Sequence, residues 1–257
     1  MATQAPVLQD KLDPAFVRAE FRRRRGHWHD DWEALLAYSP AYVAAYLDFS
    51  VYALERGNLP PKFIELLYVA TNCAPTHMFA KGLRNHARQA LDLGATPAEL
   101  LSVAATVSAM GIHSYLLVAQ AVAELVPDAA EAGDREAIAR AAADHASLFG
   151  EVLAQSDAAI RIDPQFYACW LDFAAAPVRG PRAALSIKEG HLISLAVHAQ
   201  CTQLNPSGVQ LHARGAIAHG ASAQEVLDVG RLISSMGIHA MVFARPIIEE
   251  LTQEGPA

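Results

Sequence analysis

Glu65 and His86 are the residues whose types and spacing best suit them to chemistry. They lie 21 positions apart, and Glu65 sits in a segment whose other face is apolar, so a helix hairpin would bring carboxylate and imidazole together. Such a pair moves protons: the carboxylate orients and charges the ring, and burial raises the acid's pKa toward a useful range. The competing reading is a helix-surface glutamate, or an ion pair with Lys62 or Arg84. His77 follows Asn72-Cys73-Ala74-Pro75-Thr76, where the proline interrupts a helix. It reads as a catalytic relay or as an ordinary loop histidine. His113 could complete a cluster with Glu65 and His86 or orient a substrate. The arginine run Arg22, Arg23, Arg24 and Arg25, with Arg18, could bind a carboxylate or phosphate, while a solvated helix face or subunit contact is the plainer reading. Cys73 reads as a buried thiol beside the substrate, and as a nucleophile it would need a lowered pKa and a base such as His77. No compact ligand spacing demands a metal, so neither metal nor cofactor is expected.

These residues sit inside a repeat. Lys62, His86, Ala90, Gly94, Glu99, Gly111 and His113 recur 126 positions later as Lys188, His212, Ala216, Gly220, Glu225, Gly237 and His239. A constant offset over some fifty residues marks a duplicated unit. Pro40, Tyr42 and Asp48 match Pro164, Phe166 and Asp172 at an offset of 124, so two residues are added between Phe173 and Lys188. That stretch, with Pro177, Gly180 and Pro181, is expected to be a loop. The predicted division is residues 1–130, a first unit with N-terminal helices, and residues 131–257, a diverged second copy. Polar positions differ between copies: Glu65 becomes His191, His77 becomes Gln203 and Cys73 becomes Ala199. The active centre is therefore expected in or around the first copy. The shared His86/His212 and His113/His239 fit either packing or proton transfer.

Both copies read as helix. Phe63, Leu66, Leu67 and Ala70 form one apolar face, and Leu83, Ala87, Ala90 and Leu91 another. Gly94 stops a helix and Thr96-Pro97-Ala98-Glu99 opens the next; Gly220 and Ser222 to Glu225 repeat the device without proline. Met110-Gly111-Ile112-His113 and its echo from Met236 mark helix junctions, where glycine would allow close approach or an unusual backbone angle. Arg135 to Ala159 reads as one long helix. The expected fold is all-α, a duplicated helical bundle with pseudo-twofold symmetry.

With 53% hydrophobic and 18% charged residues, the 257-residue chain can bury a substantial core, and a net charge of −7 discourages nucleic-acid binding. Leu100 to Ala123 carries no charge, but the matching second-copy segment holds Asp228, Arg231, Arg245 and Glu249, so a buried helix pair is expected rather than a membrane span. No secretory signal is visible, and Cys73, Cys169 and Cys201 are isolated, which points to the cytoplasm. No Rossmann glycines, phosphate loop or nucleophile elbow appear.

The chain resembles the carboxymuconolactone decarboxylase-like family, which includes alkylhydroperoxidase D. The resemblance rests on Pro61-Lys62-x-x-Glu65-Leu66 and His86-x-x-x-Ala90-x-x-x-Gly94-Ala95-Thr96-x-x-Glu99, followed by Gly111, with a weaker echo from Lys188 through His212-Ala213-Arg214-Gly215-Ala216 to Glu225. It implies an all-helical fold and assembly around several copies of the unit, so a two-unit chain would form a homotrimer. The peroxidase branch uses a CxxC pair followed by histidine; here Ala74, Pro75, Thr76 and His77 follow Cys73, which counts against disulfide chemistry. The decarboxylase branch implies a cofactor-independent lyase, or a related lactone-processing hydrolase, acting on a small carboxylate or lactone from aromatic catabolism. Glu65 and His86 would be acid and base, with His77 or His113 as relay and Arg84, or an arginine from 22 to 25, as the clamp on the substrate carboxylate. A thiol peroxidase using Cys73 and a noncatalytic small-molecule-binding or scaffold protein are the alternatives.

Overall fold

Proline and short polar side chains open most helices of this chain. Asp13, Ser39, Thr96, Asp163 and Asn205 each accept a first-turn backbone N–H, and each is followed directly by proline, whose fixed φ and missing N–H suit the first helical position. The computed structural model describes residues 13–130 and 133–253, and among these there are helices and turns but no strand. The fold is all-α, as expected. It separates into two compact units, residues 1–58 with 234–257, and residues 59–233.

The first unit contains α1 (Pro14–Arg25), α2 (Asp30–Tyr38), α3 (Pro40–Arg56) and, late in the chain, α14 (His239–Gln253). Phe21, Trp32, Leu35, Leu36, Val43, Leu47 and Val51 form its core. The arginine run is engaged locally: Arg24 reaches Asp48 at 2.6 Å and Glu55 at 2.7 Å, Arg23 reaches Glu20 at 2.7 Å, and Arg22 lies over the Trp28 ring. These contacts fit the plainer reading of the run, a charged helix face.

The second unit holds α4 (Pro61–Cys73), α5 (Ala80–Asp92), α6 (Pro97–Ser108), α7 (Ile112–Leu125), α8 (Arg135–Phe149), α9 (Ala154–Ile162), α10 (Pro164–Arg179), α11 (Ile187–Ala199), α12 (Pro206–Ala218) and α13, which starts at Ala223. Two hairpins dominate it, α4 with α5 and α11 with α12, and α11 also packs on α4 and α6. Their details coincide at the 126-residue offset. Lys62 pairs with Glu99 at 2.6 Å and Lys188 with Glu225 at 2.9 Å, while Met78 and Leu204 turn between helices at positive φ of 49° and 41°. Thr76 and Thr202, themselves 126 apart, approach to 3.4 Å. A residue touching its own counterpart lies on a local twofold axis. The boundaries of the compact units fall near residues 58 and 233, and within the second unit α11 packs on α4.

Three local expectations change. The long helix from Arg135 is broken after Phe149, where Gly150 adopts φ 85° and its N–H closes on the Ala146 carbonyl; α9 then starts afresh. Pro177 lies inside the last turn of α10 rather than in the following loop. Gly111 has ordinary helical angles, and a Cβ on Gly111 or Gly237 would meet nothing within 4 Å, so neither close approach nor unusual geometry explains these glycines. Runs Pro97–Leu125 and Ala223–Gln253 are long and apolar enough to cross a bilayer by length and composition, yet each is broken by a 3-10 turn, at Ala109–Gly111 and Ser235–Ile238. They do not indicate a membrane protein.

Candidate active site

The α4–α5 hairpin brings Glu65 and His86 together. His86 Nδ1 lies 2.7 Å from Glu65 Oε2, and the side chains keep only 13% and 10% of their surface, so the pair is nearly dry but reachable. Lys62 is occupied by Glu99 and Arg84 is exposed, so the alternative ion pairs for Glu65 are not the ones made. The Tyr68 ring stacks on His86 at 4.6 Å. An ionised carboxylate only accepts, so His86 carries its proton on Nδ1 and offers Nε2 as the exchanging nitrogen.

The contacts described for the other predicted residues are with different partners. His77 is half-buried, its ring 5.7 Å from Phe79, and burial lowers its pKa. The Cys73 thiol bonds the Ala70 carbonyl at 3.3 Å, and burial pushes it up to about 11, away from a reactive thiolate. His113 makes its ring contacts with His198, at 4.2 Å, and His212, at 6.5 Å.

Those three histidines belong to a second region. His113, His191 and His212 line a pocket with about 50 Å³ of free volume, whose walls are otherwise largely apolar: Phe149, Trp170, Val178, Leu211 and neighbours. Trp170 is fixed by donating its indole N–H to the Ala109 carbonyl at 2.8 Å. Hydrogen bonding sets the tautomers. The Leu148 carbonyl only accepts, so His191 Nε2, 2.8 Å away, donates to it; the neutral His191 then has a lone pair on Nδ1. His212 Nδ1, at 3.1 Å, must donate to that lone pair, which leaves His212 Nε2 as a free base. His219 donates to the same carbonyl at 2.8 Å. Burial drives these rings toward neutrality: His113 and His191 fall to about 4 and His198 to about 3, while His212 goes well below its ordinary value, with neighbouring histidines adding to the burial.

Backbone close to the rings makes the room. A Cβ on Gly215 would lie 2.5 Å from His191, and one on Gly208 would lie 2.5 Å from His198. The equivalent of Gly215 in the first hairpin is Gln89, where the smaller Glu65 replaces a ring.

Residues 40–143 match the model of the carboxymuconolactone decarboxylase family. The matched stretch holds Glu65, Cys73, His77, Arg84, His86 and His113, and ends before His191, His198 and His212. The fold is also that of a solved protein from Burkholderia xenovorans, provisionally described as a gamma-carboxymuconolactone decarboxylase subunit. It is 26% identical, with a TM-score of 0.84 over 95% of this chain and 99% of that one. A comparison with curated proteins found no match. Family and neighbour together support a decarboxylase-like or alkylhydroperoxidase-like function. Sequence reasoning missed His198. Its signal was available in the repeat, where the counterpart is Asn72, another asymmetry of the kind that singled out Glu65.

Proposed function

We propose that this chain is a decarboxylase-like lyase, or a closely related lactone-processing hydrolase, that acts without a cofactor on a small carboxylated metabolite, with Glu65 and His86 as its proton-transfer pair. The observation that carries this reading is the 2.7 Å contact between a nearly buried carboxylate and an imidazole. As carbon dioxide leaves, its bonding electrons pass into an enolate or dienolate, and the protonated His86 delivers a proton from Nε2 to that carbon. Glu65 steadies the charged ring before the transfer and holds its tautomer after it. Arg84, exposed two residues before His86 on the same helix, is a candidate for meeting the substrate carboxylate. The protonated state of Cys73 weighs against the thiol-peroxidase alternative. The coincident hairpins support descent from a tandem duplication, and a cytoplasmic homotrimer of such two-unit chains completes the proposal.

The test is turnover of gamma-carboxymuconolactone, the substrate named for the Burkholderia protein. Glu65→Gln should lower kcat by about 10²–10⁴-fold with an unchanged helical circular dichroism spectrum. Retained turnover would remove Glu65 from the mechanism. Peroxide-dependent turnover that disappears in Cys73→Ser would instead establish the thiol reading.

A further inference from the structure

We propose that His113, His198 and His212 form a binding site for one divalent transition-metal ion, best suited to zinc, with a fourth position open to the apolar pocket. Each ring offers one nitrogen, and the three nitrogens lie within 4.8 Å of one another. A tetrahedral zinc ion with Zn–N bonds of about 2.0–2.1 Å needs nitrogens about 3.3 Å apart, so the rings must close by at most about 1.5 Å. Three neutral imidazoles without a carboxylate suit zinc, cobalt, nickel or copper far better than magnesium or calcium.

Two observations distinguish this cluster from stacked core histidines. His198 is fully buried and its Nε2 has no hydrogen-bond partner, a costly state that a metal would relieve. The relay from the Leu148 carbonyl through His191 to His212 Nδ1 reserves His212 Nε2 as a lone pair, the support that metal-bound histidines receive from an outer shell. His198 has such a partner as well. Its Nδ1 lies 3.0 Å from the Gln203 amide nitrogen, and turning that amide over presents its oxygen to an Nδ1–H, freeing Nε2 as a ligand. Thr76, 3.5 Å from the same amide, can donate or accept and so tolerates either orientation. Gly208 provides the space in which the His198 ring sits. Two of the three ligands, His113 and His212, line the pocket bounded by Phe149 and Trp170, so water or a carboxylate held there could complete the shell.

The test uses the untagged full chain, stripped with a chelator and titrated with cobalt(II), then zinc. One cobalt per chain should bind with the intense visible absorption of a four-coordinate ion, zinc should displace it, and zinc should raise Tm. Gln203→Leu should weaken binding by about 10–100-fold, and His113→Ala and His198→Ala by more. His29→Gln, outside the cluster, should bind as the parent does. His113 is only half-buried, so its variant stays informative if His198→Ala fails to fold. Absence of stoichiometric cobalt, or undiminished affinity in His113→Ala, would overturn the site.

Discussion

At position 65 the α4–α5 hairpin holds a carboxylate 2.7 Å from His86, and at the matching position 191 the α11–α12 hairpin holds an imidazole 3.1 Å from His212. The frames around them are alike: a Lys–Glu bridge, a turn residue at positive φ, and a glycine whose Cβ would strike the side chain at position 72 or 198. What differs is the partner of the conserved ring. The Glu65 carboxylate can only accept from His86, whereas His191 passes a backbone carbonyl's demand for a proton along to His212 and leaves a neutral base. The exchange is coupled to packing, because the ring of His191 fits only where Gln89 has been replaced by Gly215. One hairpin architecture can thus hold a carboxylate–imidazole pair in one place and a cluster of nitrogen donors in another.

The largest expected effect follows from the neutral rings. His145 and His191 are held near 4 in the folded state against an ordinary 6.5, so the unfolded chain takes up protons first as pH falls. Their contribution to stability is complete above about pH 6.5 and is lost progressively toward about pH 4, on the order of a few kcal/mol together. Thermal unfolding of the metal-free protein against pH should show this slope, and His191→Gln should flatten it; an unaltered slope would mean that the second hairpin is not where the neutral rings reside. Next in size is Gly215→Ala, which pushes a methyl group into the His191 ring and should destabilise the protein by about 1–3 kcal/mol in urea titration. A neutral result would break the link drawn between Gly215 and His191. Smallest is Gly230→Ala, an exposed helical glycine with nothing near its Cβ, whose first-copy counterpart is Ala104. It should gain about 0.5–1 kcal/mol, and a loss would show that the copies are not interchangeable there.

Much of the fold is legible in the residues themselves. Caps, prolines and apolar spacing act within one or two turns, so the helices opening at Pro97 and Ala223, and their break near Met110, can be read locally. The stop at Gly150 was missed because an Ala-rich periodicity continues through it, while the backbone there turns left-handed. The meeting of Glu65 with His86 could be anticipated because a hairpin joins them over a short separation. His113 could not be placed in that way: it was expected beside Glu65 and instead contacts rings 85 and 99 positions further on.

By itself the sequence determined the helical class, the 126-residue echo, and the list of positions where the two echoing segments diverge, since these depend on residue type and short-range spacing. Only the tertiary structure decided which histidines come together and which ring nitrogen His191 and His212 must offer. Those choices follow from long-range packing of α11 against α4 and α6 and from a backbone carbonyl, Leu148, whose single role as acceptor orders the protons of His191 and, behind it, His212.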